Sequence, residues 1–276
     1  MAGFIDIHTH AFPDPIAAVA IPALEKEGNI KAYLNGTVAS LLASMDRSGI
    51  EQSVLCSIAT RPEQFTSILD WSKTIRSERI IPFPSLHPTD PQLLDHLQEI
   101  HDQGFKGVKM HPYYQDYFLD DERLFALYEK MGELGMILVI HAGYDIAFPR
   151  IRRADPQRIL DVCRRFPELK LIATHLGGWD EWEDVRRLLT GEPIYMELSF
   201  ALDFLDQTRL RDMLLSHPSE YLLFGTDSPW TDQATTLKML GKLGLPDELF
   251  AKITSGNARR LLGSSGSRAG STDARK

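Results

Sequence analysis

The sequence predicts an α/β fold of the TIM type, a single (β/α)8 barrel. Short apolar runs rich in β-branched residues alternate with amphipathic helical stretches along most of the chain. Most of these runs are continuously apolar, which is typical of parallel strands covered on both faces. The length of 276 residues fits one barrel of roughly 250 residues. We therefore assign residues 1–262 to one barrel domain and expect residues 263–276, rich in Ser, Gly and charge, to form a disordered tail.

Eight strands are predicted in strict alternation with helices, and this order favours a closed barrel. The alternative is an open doubly wound sheet, which would be expected to carry a glycine-rich phosphate loop after its first strand. The chain has His-Thr-His at that point. The predicted strands are residues 3–8, 53–58, 80–86, 107–111, 136–141, 170–175, 194–199 and 221–227.

The intervening helices are predicted from apolar positions that recur at helical spacing. Residues 155–165 begin at Asp155-Pro156, an N-cap followed by proline at the first helical position. Gly104 and Gly135 are placed to end the helices predicted at 93–103 and 124–134. Residues 246–262 are predicted as a closing helix. The segment 11–36 is too long for an ordinary loop, so we expect it to contain a helix and to cover part of the site.

Charge and cysteine content exclude several classes of function. A formal net charge of −8 argues against a nucleic acid or an anionic membrane as partner. The two cysteines, Cys56 and Cys163, are expected to pack in the core rather than form a disulfide. We found neither a signal peptide nor an apolar run long enough to cross a membrane. These features predict a cytoplasmic protein.

Side chains that bind metal end several predicted strands. His8 and His10 lie two residues apart, so the strand period of two places both on one face. His141 and His175 end the fifth and sixth strands, and Asp227 ends the eighth. Strand ends meet at one face of a barrel, where imidazoles and a carboxylate can bind a divalent cation. Zn²⁺ is the first choice for one or two ions, and Mn²⁺, Ni²⁺ or Fe²⁺ would fit the same ligands.

Lys109 admits two interpretations. Its alternation with Val108 and Met110 places it on the same face as His111, pointing into the barrel. Beside a cation, the lysine would be driven toward its neutral form, which could react with carbon dioxide to give a carbamate ligand. Alternatively, the protonated amine could hold a substrate carboxylate. His111 either contacts the substrate or supports the site, or it is a packed core residue.

Substrate contacts are expected from the loops that follow the strands. Arg61 follows the second strand, Tyr113 the fourth, Trp179 the sixth and Trp230 the eighth. Together they would suit a small aromatic or cyclic acid, with arginine binding its carboxylate. The expected partner is thus a small molecule, and a homodimer is compatible with the sequence without being required by it.

This set of motifs resembles the amidohydrolase superfamily, in the branch of amidohydrolase-related hydrolases and nonoxidative decarboxylases. The resemblance runs from the first His-Thr-His to the closing SGNARRLLG, in which Asn257, Ala258 and Leu261 match. It implies that the metal ligands are His8, His10, His141, His175 and Asp227. The Gly-Val-Lys run at Lys109 is similar to the strand that bears a carbamylated lysine in two-metal members. One-metal members differ at this strand, which leaves the metal count open. Their histidine equivalent to His175 is commonly catalytic rather than a strong ligand, so the resemblance allows either role for His175.

The predicted chemistry is hydrolysis by a metal-activated water. A divalent cation lowers the pKa of a bound water from 15.7 to about 7. Asp227 would accept its proton, while His175 or Lys109 stabilises the oxyanion that develops. The predicted substrate is small, cyclic or carboxylate-bearing, and is cleaved at an amide, lactone or ester bond. The same ligands would serve a decarboxylase of a small aromatic or unsaturated acid. A catalytically inactive barrel used for binding is the third possibility.

Overall fold

The computed structural model describes residues 3–263. Eight parallel strands form its centre, and helices follow them in the predicted order. The predicted tail, apart from Gly263, lies outside the described residues. The strands are β1 (Phe4–Thr9), β2 (Ile50–Cys56), β3 (Ile80–Phe83), β4 (Gly107–Met110), β5 (Ile137–Ile140), β6 (Lys170–Ala173), β7 (Tyr195–Glu197) and β8 (Leu222–Leu223).

The strands close into a barrel through two sparser contacts. Regular ladders join β1 to β3 and β4 to β8. Between the two ladders, Lys109 N donates to Pro84 O at 2.9 Å, beyond the end of β3. On the other side, Ile7 N of β1 donates to Phe224 O at 2.9 Å, just after β8. The predicted (β/α)8 barrel is confirmed, and the open sheet is excluded.

Twelve helices surround the barrel within the described residues. Their bounds are α1 (Asp14–Gly28), α2 (Val38–Ser48), α3 (Phe65–Ile75), α4 (Leu93–Asp102), α5 (Phe125–Glu133), α6 (Pro156–Arg165), α7 (Trp182–Leu188), α8 (Ala201–Phe204), α9 (Gln207–Ser216), α10 (Gln233–Lys242), α11 (Asp247–Ala251) and α12 (Asn257–Leu262). The predicted closing helix corresponds to α11 and α12, which are joined by one wider π turn at Lys252–Gly256. The helix expected within residues 11–36 is α1.

The helix ends follow the predicted local chemistry. The Asp155 side chain accepts hydrogen bonds from the backbone of Gln157 and Arg158, with Pro156 at the first position of α6. Gly104 and Gly135 adopt φ values of 76° and 62° after α4 and α5. A left-handed residue of this kind lets the chain leave the helix at low cost, because glycine has no Cβ.

The apolar core has two layers, separated by the sheet. Inside the barrel, residues such as Ile5, Val54, Phe83 and Val139 pack together, and Leu261 of α12 covers the lower end. The outward faces of the strands pack against the helices in a larger cluster. Cys56 is a buried free thiol in the inner layer, and Cys163 is a free thiol packed against the outer one. Within the described residues, no helix has the length and apolar content needed to span a bilayer.

A bulge in β1 sets the direction of its histidines. Between two register pairs, Asp6 with Ser53 and Thr9 with Leu55, β1 advances three residues while β2 advances two. Without this extra residue, a strand with Ile7 inside would turn His8 outward. The bulge instead allows Ile7 to fill the inner core and His8 to face the barrel interior at its mouth.

Several strands are shorter than predicted, and this moves the ligands into the loops. β8 covers only two of the seven residues predicted, so Asp227 lies four residues beyond its end. His175 lies two residues past β6, in a 3-10 turn. Both residues have positive φ, 57° in each case, which is unfavourable for non-glycine residues and which an extended strand cannot contain.

Candidate metal centre

Three predicted ligands converge at the mouth of the barrel. His8 Nε2 lies 3.1 Å from His10 Nε2, and Asp227 Oδ1 lies 3.0 Å from His10 Nε2 and 3.5 Å from His8 Nε2. In a tetrahedral site with metal–ligand bonds of about 2.0–2.1 Å, neighbouring ligand atoms are about 3.3 Å apart. The three atoms therefore have the spacing of one face of a metal coordination shell.

The other two predicted ligands form an adjacent pair. His175 Nε2 lies 3.1 Å from His141 Nδ1, and the rings of His8 and His175 have their centroids 5.6 Å apart. All four histidine nitrogens thus face a common space. The structure brings together every residue that the sequence assigned to metal binding.

In each histidine, the hydrogen bond made by the ring nitrogen that points away from the cluster determines which nitrogen carries the proton and which carries the lone pair. Since backbone carbonyls only accept, His10 Nδ1 donates to Cys56 O at 2.7 Å and His141 Nε2 donates to Tyr144 O at 2.9 Å. His8 Nδ1 donates to the Glu197 carboxylate at 3.1 Å. The nitrogens that point inward therefore carry lone pairs, which is the tautomer that metal binding requires.

A hydroxyl group holds His175 in the corresponding tautomer, with the lone pair on its inward nitrogen. The single proton of Ser199 Oγ goes to Glu197 Oε1 at 2.6 Å, so Ser199 Oγ accepts from His175 Nδ1 at 2.8 Å. Burial lowers the pKa of His8 and His175 well below the ordinary value, and lowers that of His141 as well. Neutral imidazoles with converging lone pairs repel one another unless a proton or cation lies between them, so the donor set fits a divalent cation.

Asp227 faces the same space as an ionised carboxylate. Burial by itself would raise the pKa of Asp227, and positive charge on His8, His10 or Lys109, or on a cation between them, lowers that pKa below its ordinary value. Asp227 Oδ1 is buried and has no hydrogen-bond donor among the described residues, because His10 Nε2, 3.0 Å away, carries no proton in the assigned tautomer. A buried carboxylate oxygen without a donor is costly, and a cation or a water would relieve it.

Lys109 is completely buried and points into the barrel, as predicted. Its Nζ lies 3.1 Å from His8 Nε2, and burial lowers its pKa. The lysine therefore lies beside the ligand cluster in an environment that favours the neutral amine. Both interpretations made from the sequence, a carbamate ligand and an amine that contacts the substrate, are compatible with this position.

Glu197 and Ser199 are site residues that the sequence reasoning missed. Glu197 accepts hydrogen bonds from His8, from the backbone of His175 at 2.8 Å and from the backbone of Ser199 at 2.7 Å. Burial raises the pKa of Glu197, and these hydrogen bonds oppose the rise. A glutamate on the inner face of a buried strand was a readable signal, because an isolated charge is rarely placed there. Gly225 is required beside it, since a Cβ there would lie 2.2 Å from Glu197 Oε2.

A second buried carboxylate, Asp6, ties β1 to the loop that carries Asp227. Asp6 accepts from the backbone of Thr226 at 3.1 Å, from its hydroxyl at 2.6 Å and from Gln233 Nε2 at 2.8 Å. It also accepts from His8 N at 3.2 Å. Burial raises the pKa of Asp6 to about 7, with these hydrogen bonds opposing. One carboxylate thus positions the backbone beside two ligands.

A cavity of about 190 Å³ opens above the ligands. This is smaller than the roughly 300–1,000 Å³ of sites for drug-sized ligands, so the cavity has room for a small ligand only. The polar ligands form its floor, while apolar and aromatic side chains form most of its wall. The aromatic residues are Phe12, Tyr114, Tyr144, Trp179, Phe200 and Trp230.

The predicted substrate contacts are only partly in this cavity. His111, Trp179 and Trp230 line it. Arg61 is exposed and lies outside the lining, although its neighbour Thr60 belongs to the lining. Tyr113 is buried behind the wall, where its hydroxyl donates to Ile151 O at 2.5 Å. The helix α1 contributes Leu24 and Gly28 to the lining, which agrees with the expected covering role of residues 11–36.

A second cluster of possible ligands shares His141. The side chains of His111, His141 and Asp145 offer donor atoms within 4.8 Å of one another. However, His141 Nε2 already donates to Tyr144 O, so this nitrogen cannot bind a second cation while its Nδ1 serves the first cluster. His111 Nε2 lies 3.3 Å from Asp145 Oδ2. Burial lowers the pKa of His111 to about 3, which leaves a neutral imidazole beside the carboxylate.

Comparison with known proteins identifies the family. The family model described as Amidohydrolase (Amidohydro_2) matches residues 5–264, nearly the whole chain. The chain belongs to this amidohydrolase family. The search of curated protein sequences found no match to this chain.

Solved structures share the fold of this chain. An uncharacterised TIM-barrel protein from Bordetella bronchiseptica is 20% identical and has a TM-score of 0.76, over 94% of this chain and 98% of that chain. The 5-carboxyvanillate decarboxylase from Sphingomonas paucimobilis is 15% identical, with a TM-score of 0.72 over 95% and 99%. A dihydroxybenzoic acid decarboxylase from Polaromonas, which contains manganese and 2-nitroresorcinol, is 17% identical, with a TM-score of 0.70 over 95% and 97%. At these identities the likeness establishes the fold alone.

Proposed function

We propose that the protein is a metal-dependent hydrolase that cleaves an amide, lactone or ester bond in a small cyclic or carboxylate-bearing substrate. The observation that favours this function is the position of Asp227. Its Oδ1 lies among the ligand nitrogens and has no protein donor within the described residues. An attacking water placed between the ligand cluster and this oxygen would meet an ionised proton acceptor.

The metal is proposed from the ligand chemistry. Histidine nitrogens and one carboxylate suit Zn²⁺, and the same set suits Mn²⁺, the ion in the Polaromonas relative. His8, His10 and Asp227 would hold it, with His141 and His175 beside them. A bound divalent cation would supply Lewis-acid polarisation and would lower the pKa of a water from 15.7 to about 7.

The residues of the chain then divide the proton transfers. Asp227 accepts the proton of the attacking water and returns it to the leaving group, as a general base and then a general acid. Lys109 faces the same space and can donate to the oxygen on which negative charge develops, whereas His175, whose inward nitrogen carries a lone pair in the assigned tautomer, would act as a ligand. Glu197 and Ser199 keep His8 and His175 in the tautomer that this arrangement requires.

A decarboxylase remains the second candidate, and the cavity wall favours it. A carboxylate held at the floor would have a largely apolar and aromatic surround. Such a surround destabilises the carboxylate relative to neutral carbon dioxide. The product would be the arene or alkene protonated at the carbon that carried the carboxylate, with Asp227 taking the proton from a water and passing it to that carbon, and with the hydroxide left behind combining with the carbon dioxide as bicarbonate.

One assay distinguishes the two functions. Zn²⁺- and Mn²⁺-loaded protein would be incubated with small lactones, cyclic amides and aryl esters and, separately, with hydroxybenzoic and unsaturated acids. Hydrolysis of a lactone or an ester consumes one equivalent of base per turnover in a pH-stat, and hydrolysis of a cyclic amide, whose released amine takes up the proton, is monitored by the loss of the amide in chromatography. Decarboxylation releases labelled carbon dioxide from carboxyl-labelled substrate. Turnover confined to the acids would replace hydrolysis by decarboxylation. A protein that binds no divalent cation would refute both functions.

A further inference from the structure

We propose that the substrate ends in a short aliphatic group, and that Gly28 of α1 determines how long this group can be. This assignment rests on the proposed function, because it assumes that the reacting ester, lactone, amide or carboxylate is held at the floor of the cavity. It concerns the opposite end of the substrate. There the lining is formed by four residues that we call the roof: Leu24, Gly28, Ile30 and Ile146.

The roof lies where α1 meets the loop after β5. Ile21, Leu24 and Gly28 recur at helical spacing on one face of α1, and the last two of them line the cavity. A Cβ at Gly28 would lie 3.2 Å from Ile146 Cγ2 and 3.3 Å from Ile30 Cγ2. Both isoleucine side chains therefore approach the backbone of α1 at Gly28, one from the loop after β5 and the other from the segment that follows the helix.

The close approach of these side chains explains why residue 28 is a glycine. The left-handed residue that ends α1 is Asn29, with a φ of 46°, so the end of the helix does not require glycine at position 28. Within a helix, glycine is less favourable than alanine because it loses more backbone entropy. A methyl group at 3.2–3.3 Å from both isoleucines would be closer than the optimal separation of about 3.5–4.0 Å between carbon atoms. Glycine therefore keeps open a space that a methyl group would take.

The backbone groups nearest the roof already have partners within the chain. The amides of Asn29 and Ile30 both donate to Glu25 O, the second at 3.1 Å. On the other side of the roof, Ala147 N donates to Asp145 Oδ1 at 2.8 Å. The roof residues themselves have no polar side-chain atom. A polar group of the substrate would therefore lose its water at the roof without gaining a donor from these amides, which is unfavourable.

The polar side chains of the neighbouring wall contact other residues of the chain. Asp145 Oδ2 lies 3.3 Å from His111 Nε2, and the Thr60 hydroxyl donates to Gln64 Oε1 at 3.1 Å. No arginine is found among the described residues that line the cavity. The arginine that was expected to bind a substrate carboxylate is thus missing from this wall, and the roof fits an aliphatic group instead.

The test uses hydroxamic acids, because their two oxygens chelate a divalent cation and leave the chain to extend away from the floor. Zn²⁺-loaded protein would be titrated by calorimetry with acetohydroxamic, butanohydroxamic and pentanohydroxamic acid. Burial of one methylene group strengthens binding about three- to fourfold, so the pentano compound should bind at least about tenfold more tightly than the aceto compound. The compound 4-hydroxybutanohydroxamic acid has as many heavy atoms as the pentano compound but ends in a hydroxyl, and it should bind about tenfold less tightly.

Variants at Gly28 assign the length of the aliphatic group to this residue. Gly28→Ala should lower the ratio of pentano to aceto affinity about threefold, and Gly28→Val about tenfold, because the added carbons displace methylene groups of the ligand. Gly241→Ala and Gly241→Val are the matched controls. Gly241 also lies in the last turn of a helix, α10, and a Cβ there would have no other part of the chain within 4 Å. The controls should leave the ratio unchanged. Zn²⁺ content and melting temperature would be measured for every variant.

The outcomes distinguish the roof from the proposed function. Equal binding of the three unsubstituted acids to the wild type, or tighter binding of the hydroxyl compound, overturns the aliphatic roof. An unchanged ratio in both Gly28 variants overturns the role of Gly28. Each of these results leaves the proposed function intact, since binding of acetohydroxamic acid and turnover of the substrate panel depend on the floor. A Zn²⁺-loaded protein that neither binds acetohydroxamic acid nor turns over any substrate refutes the proposed function, and the aliphatic roof falls with it.

Discussion

Glu197 Oε1 lies 3.1 Å from His8 Nδ1, so a buried carboxylate on β7 fixes the tautomer of a proposed metal ligand on β1. The same carboxylate accepts from the backbone of His175 and, through Ser199, holds the ring of His175. Two ligands from opposite parts of the sequence are therefore oriented by one residue. Support of this kind determines ligand basicity and ring direction in metal sites.

Replacing Glu197 should weaken metal binding without removing a ligand. In Glu197→Gln, an NH₂ group replaces one carboxylate oxygen. At least one of the donors that now surround the carboxylate then faces this NH₂ group and loses its hydrogen-bond acceptor. We expect metal affinity to fall about 10- to 100-fold, measured by competition with a chromogenic chelator. Glu129→Gln, at an exposed glutamate on α5, is the control. An affinity within twofold of wild type would show that Glu197 does not orient the ligands.

Removing the charge of Asp227 should lower the turnover rate by more than it weakens substrate binding. An asparagine side chain cannot accept and return a proton, so Asp227→Asn should lower kcat by about 10²- to 10⁴-fold with a smaller change in KM. Rates would be normalised to the metal content of each preparation. Asp212→Asn, at an exposed position on α9, should keep wild-type kcat. A kcat within threefold of wild type for Asp227→Asn would remove Asp227 from the proton transfers.

Lys109 can be tested by metal count and by stability. If its carbamate bridges two ions, Lys109→Met should bind one ion per chain where the wild type binds two, measured by plasma mass spectrometry. Since Lys109 is a buried amine whose pKa burial lowers, methionine should also stabilise the apoprotein, by about 1–3 kcal/mol in urea unfolding.

The control for Lys109 is Lys106→Met, three residues away and exposed. It should change neither the metal count nor the unfolding free energy by more than about 0.5 kcal/mol. An equal metal count in Lys109→Met and wild type would exclude the bridging carbamate. It would leave Lys109 as an amine that contacts the substrate.

Asp6 should make the stability of the apoprotein depend on pH. Burial raises its pKa from 3.8 to about 7, so the folded state binds this proton more tightly than the unfolded state does. Its contribution to stability is therefore fully present below pH 3.8 and is lost as the pH rises through about 7. The unfolding free energy of wild type minus that of Asp6→Asn should shrink across this window.

The measurement is urea unfolding at several pH values with chelator present, so that metal binding does not contribute. The exposed Asp212→Asn should differ from wild type by the same amount at every pH. A difference between wild type and Asp6→Asn that grows with pH would contradict the prediction. It would mean that the hydrogen bonds from Thr226 and Gln233 stabilise the ionised carboxylate by more than burial destabilises it.

The order of the elements and the choice of the candidate ligands followed from the sequence. Apolar runs of strand length alternate with amphipathic helices, and this local pattern is sufficient to predict a parallel barrel. Histidines at the ends of such runs must meet at the mouth, because the strand ends of a barrel share one face. The helix start at Asp155 and the helix ends at Gly104 and Gly135 were also predictable from the local sequence, since capping depends on side chains within a few residues.

The tertiary structure alone decided how the ligands are aimed and what surrounds them. The bulge that turns both Ile7 and His8 inward depends on the register between β1 and β2, which no single segment of sequence encodes. The positive φ of His175 and Asp227 is tolerated because Glu197 and Asp6 hold the neighbouring backbone. The pairing of Arg150 with Asp180 and the place of Asp145 in the cavity lining follow from loop packing, which depends on contacts between residues far apart in the chain.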